Sequence, residues 1–235
     1  HRCLLQDRKT LRKYNVRADA FSKDAKHLHA GNYVGGKVKM TESAVAWLCA
    51  VQADGHYVKD EKGEYGISIS PGKPRKIARL RLVLESLGAK FSEKERNGGT
   101  YFYVGVAERA VVNAKELMPD KCFGPWILGL DRETLDLFVE EVFFWDGSWT
   151  RKREWGSSDE SSADWVQILF TLSGFRANKV RQEIEGCRDH FRIRITPRDY
   201  SLTANHSRVQ VPWDGDVYCL RVPSSYIIIR RNGKV

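Results

Sequence analysis

No stretch of the 235 residues carries the run of about 18 apolar side chains that spans a bilayer. No secretory leader pattern opens the chain either, so membrane insertion and secretion are not expected. Cysteine is scarce and scattered. Cys3, Cys49, Cys122, Cys187 and Cys219 are odd in number and never spaced Cys-x-x-Cys, which excludes a disulfide framework and points to a reducing compartment. Cys187 and His190 stand three apart, but no second pair completes a zinc site; His27 and His29 likewise lack partners and are assigned no metal.

An excess of acid is also lacking. Lys and Arg number 39 against 30 Asp and Glu, a formal charge of +9 and a pI near 9.3. Such a balance suits a polyanionic partner, because phosphates neutralised by the protein release their counterions. Ordinary basic soluble proteins share it, so local pattern must decide. Hydrophobic residues make up 42%, with seven Trp, nine Tyr and ten Phe, enough for a real core in one two-lobed domain or one domain plus an appendage.

An internal repeat organises the chain. Ala44-Val-Ala-Trp-Leu-Cys-Ala-Val-Gln-Ala-Asp54-Gly55-His56-Tyr57 and Leu135-Asp-Leu-Phe-Val-Glu-Glu-Val-Phe-Phe-Trp-Asp146-Gly147-Ser148-Trp149 are both largely apolar helical stretches. Each ends in Asp-Gly with an aromatic two residues on. After the first come a hairpin (56–60 and 66–70, turning at Lys62-Gly63), a helix over 76–87 capped by Gly88, and strands 90–96 and 101–106 joined by Asn97-Gly98-Gly99. After the second come a strand over 148–155, a helix over 161–173 capped by Gly174, and strands near 175–184 and 191–196. The pattern predicts an α+β fold with pseudo-twofold symmetry.

Between Ala44 and Ala53 only Gln52 is polar, so that helix should be buried on all sides. Its small residues Ala46, Cys49, Ala50 and Ala53 recur at helical spacing and would let another helix approach closely. A plain core helix, however, has no need to finish on a carboxylate. Two such helices side by side would bring Asp54 and Asp146 together, an arrangement that is costly unless a cation sits between them.

Trp47-Leu-Cys-Ala-Val-Gln-Ala-Asp54-Gly55 and Val139-Glu-Glu-Val-Phe-Phe-Trp-Asp146-Gly147 resemble the paired motifs of LAGLIDADG homing endonucleases, over about residues 41–197. The resemblance implies two αββαββ units, repeat one at 41–120 and repeat two at 131–197, whose sheets form a saddle over DNA. It implies Mg2+, two or three ions, held by Asp54 and Asp146 with the carbonyls of Ala53 and Trp145 as further ligands; oxygen donors suit that ion. The implied activity is hydrolysis of both strands across the minor groove, by a monomer, at a long specific target in double-stranded DNA. Lysines often assist such chemistry, and Lys94 and Lys179 are candidates because they fall on corresponding strands. Glu141 stands where the family favours glycine, which implies a locally rearranged helix crossing.

The flanks resemble parts of an intein. His1-Arg-Cys-Leu-Leu-Gln-Asp-Arg is similar to the block whose histidine activates the upstream splice junction, and Asp216-Val-Tyr-Cys-Leu-Arg-Val-Pro to a late block in which Cys219 replaces the commoner Asp. Residues 1–40 and 198–235 are thus expected to be partial all-β splicing (Hint) segments. With no Cys or Ser at position 1 and no terminal His-Asn pair, the chain as given is not expected to splice.

Candidate DNA contacts follow from basic residues on the predicted strands: Lys59, Arg96, Arg151, Lys152, Arg153, Arg181, Arg192 and Arg194. Phe191-Arg-Ile-Arg-Ile alternates, giving its arginines one face and its apolar residues the other. For any single one of these residues, a solvated surface charge is an equally good reading. Three functions remain open: a site-specific endonuclease in the cytoplasm or another DNA-containing compartment, a splicing element with a decayed DNA-binding insert, and a regulator or RNA maturase on the same saddle.

Overall fold

The computed structural model describes residues 2–17, 20, 25–28, 35–148, 153–183, 185–186, 188–196 and 200–202, with short pieces at 212, 214–216, 229 and 232–234. His1, Arg151, Lys152 and Cys219 lie outside the described residues. Among the described residues, no helix is long and apolar enough to cross a membrane.

Two copies of one unit follow each other. The first comprises α1 (Glu42–Asp54), β4 (Gly55–Lys59), β5 (Tyr65–Ile69), α2 (Pro74–Ser86), β6 (Phe91–Arg96) and β7 (Gly99–Val104). A short helix α3 (Arg109–Leu117) and a 3-10 turn (Pro125–Gly129) lead to the second: α4 (Arg132–Asp146), β8 (Gly147–Ser148), β9 (Glu154–Ser157), α5 (Glu160–Leu172), β10 (Arg176–Gln182) and β11 (His190–Thr196). The two antiparallel sheets run β4-β5-β7-β6 and β8-β9-β11-β10, the same order in each copy. Where one strand is expected over 148–155, the structure has a hairpin, with Gly147 opposite Trp155.

The helix ends have local causes. Thr41, Asp131 and Asp159 are N-caps whose side chains accept from the N–H groups of Ala44, Thr134 and Ser162. At the hairpin between β6 and β7, Asn97 and Gly98 both take left-handed φ, 51° and 74°, as a two-residue turn of this kind requires. Helix α1 is buried without interruption from Val45 to Val51, so it has no solvent face. Its partner α4 buries Leu135, Phe138, Val139, Val142, Phe143 and Trp145, and the small Ala46, Cys49 and Ala50 leave room for these larger side chains. Each buried large apolar side chain contributes about 1.5–3 kcal/mol.

A third sheet lies outside the repeat. Strands β1 (Arg2–Asp7), β2 (Lys13–Arg17), β3 (Ala25–Leu28) and β12 (Tyr200–Leu202) are ordered β12-β3-β1-β2, all antiparallel. It joins segments from both sides of the repeat. Four short strands define no splicing fold by themselves, so the expected Hint architecture is not what the described residues display. Farther along, the Lys179 N–H and the Gln167 side-chain amide both donate to the Gly233 carbonyl at 2.8 Å, fastening residues 232–234 to β10.

Candidate active site at the helix termini

Asp54 and Asp146 are the last residues of α1 and α4, the two helices at the heart of the molecule. The glycine after each is required by space and not by φ. Gly55 and Gly147 are extended, at φ −84° and −93°. A Cβ on Gly55 would stand 2.8 Å from the Val51 carbonyl oxygen, and one on Gly147 would stand 2.6 Å from Phe143 Cα. Glycine therefore lets the chain turn back along its own helix, leaving the preceding carboxylate at the tip.

The two carboxylates meet through a lysine. Lys76 Nζ, in the first turns of α2, donates to Asp54 Oδ2 at 2.7 Å and Asp146 Oδ1 at 3.2 Å. Its side chain is 6% exposed, against 21% and 31% for the aspartates, so the ammonium is the innermost of the three charges. It also lies 5.8 Å from the centre of the Trp145 ring. Burial pushes the Asp146 pKa above the usual carboxylate range; Lys76 opposes that rise and the Asp54 charge adds to it. The neighbouring Cys49 thiol is pushed well up by burial, then by Glu141 and Asp146. It is a packing residue and no nucleophile.

Glu141 is only 7% exposed at the helix crossing, yet it is fully engaged. Arg79, one turn beyond Lys76 on α2, binds its carboxylate and also Glu42 Oε1 at 2.7 Å, while Trp145 Nε1 donates to Glu141 Oε2 at 3.2 Å. The crossing thus absorbs a carboxylate by importing a guanidinium, and helix α2 supplies the cations that meet Glu42 and Asp54 of α1 and Glu141 and Asp146 of α4.

The donor set fits a divalent cation. Asp54 and Asp146 offer hard oxygens within reach of one ammonium, and the Ala53 and Trp145 carbonyls lie in last turns where backbone oxygens lack helical partners. Among the described residues no cluster of three or more His, Cys, Asp or Glu could hold a metal. A site of two carboxylates leaves coordination positions for phosphate and water, the usual mode for Mg2+.

The structure places the expected site residues on different faces of the two sheets. The lysine at the aspartate pair is Lys76. Lys179 instead binds Glu160 Oε1 at 2.7 Å and Asp164, and these carboxylates push its pKa up against the opposing effect of burial. Strand parity explains this. Lys179 and Arg181 pair with Ile193 and Phe191 on the core-side face, where Arg181 also meets Asp189. Lys59 likewise shares the core-side parity of Tyr57 and Ile67 and lies over the Tyr65 ring. Lys94 and Arg96, by contrast, share the open face of the first sheet with the exposed Tyr101 and Tyr103. Arg192 and Arg194 occupy the open face of the second, and Arg153 is exposed beside β9. A signal for Lys76 was present: Lys73-Pro74-Arg75-Lys76 sets three cations and no acid at a helix start, against the helix dipole.

Comparison with known proteins agrees with this geometry at the level of fold. No family model matches the chain. A solved structure of mesophilic variants of the homing endonuclease I-DmoI superposes with a TM-score of 0.53 at 12% identity, covering 67% of this chain and 90% of that one. I-DmoI in complex with DNA and Mn gives 0.53 at 13%, covering 67% and 91%. The fold resembles the LAGLIDADG fold of I-DmoI. By sequence, the chain is 26% identical over 205 residues to the ribonucleoside-diphosphate reductase subunit beta of Aquifex aeolicus, covering 80% of this chain. It spans 29% of the length of that curated relative.

Proposed function

We propose that the chain is a site-specific double-strand DNA endonuclease that uses divalent metal, preferably Mg2+, and works as a monomer on a long target. The observation that carries this reading is the convergence of Asp54 and Asp146 at the tips of two paired, buried helices, in a fold with two antiparallel sheets. I-DmoI has been solved with DNA and Mn, with DNA and Ca, and in a variant with its target DNA and Mg, so a protein of similar fold takes both DNA and divalent ions.

In this reading Asp54 and Asp146, with the Ala53 and Trp145 carbonyls, hold the metal, which when bound supplies Lewis acidity and lowers the pKa of water. Lys76 places a buried positive charge where phosphate oxygens gain charge during hydrolysis. The open sheet faces, with Lys94, Arg96, Arg192 and Arg194, hold the duplex. Lys179 is a structural cation of α5 and β10.

The same proposal carries the flanks as parts of an intein, whose splicing fold the described residues do not display. Segments from both sides of the repeat pair in one sheet, and the chain corresponds to less than a third of a relative named as a reductase subunit. A nuclease-like element carried within a host protein accounts for both. A second reading, DNA binding without cleavage, is favoured by Lys76, whose ammonium bridges the two aspartates and offsets one of their two charges. The test is cleavage of the uninterrupted host allele with Mg2+ by the wild type, Asp54→Asn and Asp146→Asn. Cutting by the wild type alone, with binding retained in both variants, supports the nuclease. Binding without cutting by any of them supports the second reading.

A further inference from the structure

The open face of the second sheet contains a misfit. Arg192 and Arg194 alternate along β11, and β9 sets Glu154 directly opposite Arg194. The single carboxylate engages both arginines: Arg194 Nε donates to Oε1 at 2.6 Å, and Arg192 Nη1 lies 3.6 Å from Oε2. Glu154 is 18% exposed, the guanidinium-bearing side chains 39% and 45%. The open face of the first sheet has no counterpart. There Lys94 and Arg96 stand beside Ser92, Tyr101 and Tyr103, while Glu93 and Glu95 point to the other side.

An acid on a face meant for a polyanion weakens general attraction to phosphate. Ion pairs this exposed add little to folding. What Glu154 supplies is orientation. One carboxylate holding two neighbouring guanidinium groups removes rotamer freedom that would otherwise be lost on binding, while the side chains stay 39% and 45% exposed, with further N–H donors to offer. Arginine donors presented in that way match the O6 and N7 acceptors of guanine in the major groove.

We propose that Glu154 is a specificity-determining residue: it presents Arg192 and Arg194 to guanine edges and keeps them from collapsing onto phosphates. The assignment rests on the DNA-binding reading above. It predicts an asymmetric protein, reading one half of its target strictly through the second sheet and gripping the other half more loosely through the first.

The experiment is selection from a randomised duplex library by the full chain, wild type against Glu154→Gln and Arg192→Gln/Arg194→Gln, with Kd for an unrelated duplex measured across salt. Glu154→Gln should bind the unrelated duplex several-fold more tightly, with a steeper salt dependence by about one counterion. Its preference at guanine positions in one half-site should fall about tenfold. The arginine double variant should lose preference at the same positions and bind all duplexes less well. Undiminished guanine preference in Glu154→Gln overturns the assignment. Absence of duplex binding by the wild type overturns the endonuclease reading, and this assignment with it. Superimposable circular dichroism of the variants excludes misfolding as the cause.

Discussion

Lys76→Met tests the charge arrangement without reference to catalysis. Methionine replaces the apolar stem of the lysine, one atom shorter, but leaves Asp54 and Asp146 facing each other without that ammonium. Removing one partner of a buried ionic cluster costs about 3–5 kcal/mol, and the partial exposure of the aspartates, 21% and 31%, places the value near the lower end. For a chain of this size, a loss of about 3 kcal/mol lowers Tm by roughly 6–12 °C. A divalent ion that binds only the folded form at 100 times its Kd returns about 2.7 kcal/mol. Thermal and urea unfolding in EDTA and in graded Mg2+ should therefore show a large deficit for Lys76→Met that Mg2+ mostly removes. The wild type should gain less, because there the ion competes with the ammonium. Equal stability of variant and wild type in EDTA, or equal Mg2+ gains, would refute the view that the two aspartates need a cation between them.

Other consequences follow from the same geometry. Because the folded Asp146 pKa is raised, its contribution to stability is fully present below the ordinary carboxylate value and is lost as pH rises through the raised value. In EDTA, urea midpoints should show Asp146→Asn gaining on the wild type across that window, and Mg2+ should flatten the difference. At the helix crossing, Arg79→Leu strands a buried Glu141 with only the Trp145 N–H and should cost about 3 kcal/mol, whereas Glu141→Leu leaves Arg79 on Glu42 but orphans the Trp145 N–H and should cost less, about 1–2 kcal/mol, both read by urea unfolding. Gly147→Ala drives a Cβ to 2.6 Å from Phe143 Cα and should destabilise by about 1–3 kcal/mol in the same assay, although its φ suits any residue.

The repeat, the burial of α1 and the glycine-bearing turns were legible because each rests on local rules: apolar residues around a helix axis, a left-handed Asn97-Gly98 pair, and Asp-Gly following each motif helix. Strand faces were legible only where the alternation was clean. Phe191-Arg-Ile-Arg-Ile announces its parity. Arg176-Ala-Asn-Lys-Val-Arg-Gln does not, since the buried Ala177 sits on the side of Lys179 and Arg181 while Val180 is 42% exposed. A one-residue change in parity reverses every side chain, so the face taken by Lys179 and Arg181 was not legible from their strand. Lys76 escaped for a different reason: its partners are 22 and 70 positions away, and only tertiary packing of α2 against both motif helices brings them together. Glu141 read as a disturbance of the crossing because its compensation, Arg79, lies on that same third helix.

The pairing of β12 with β3 has a consequence for synthesis. His27 of β3 waits for Ser201 until about 170 further residues have been made, roughly 10–30 s at ribosomal speed. Throughout that interval the outer edge of β3 is unpaired, a template for strands from other chains. The charge of Lys26 and the four-residue length of this strand are features that discourage such pairing. The repeat between them can fold meanwhile, shortening the effective loop that β12 must close. Variants that slow the folding of the repeat should therefore reveal themselves first as aggregation seeded at a sheet they do not touch.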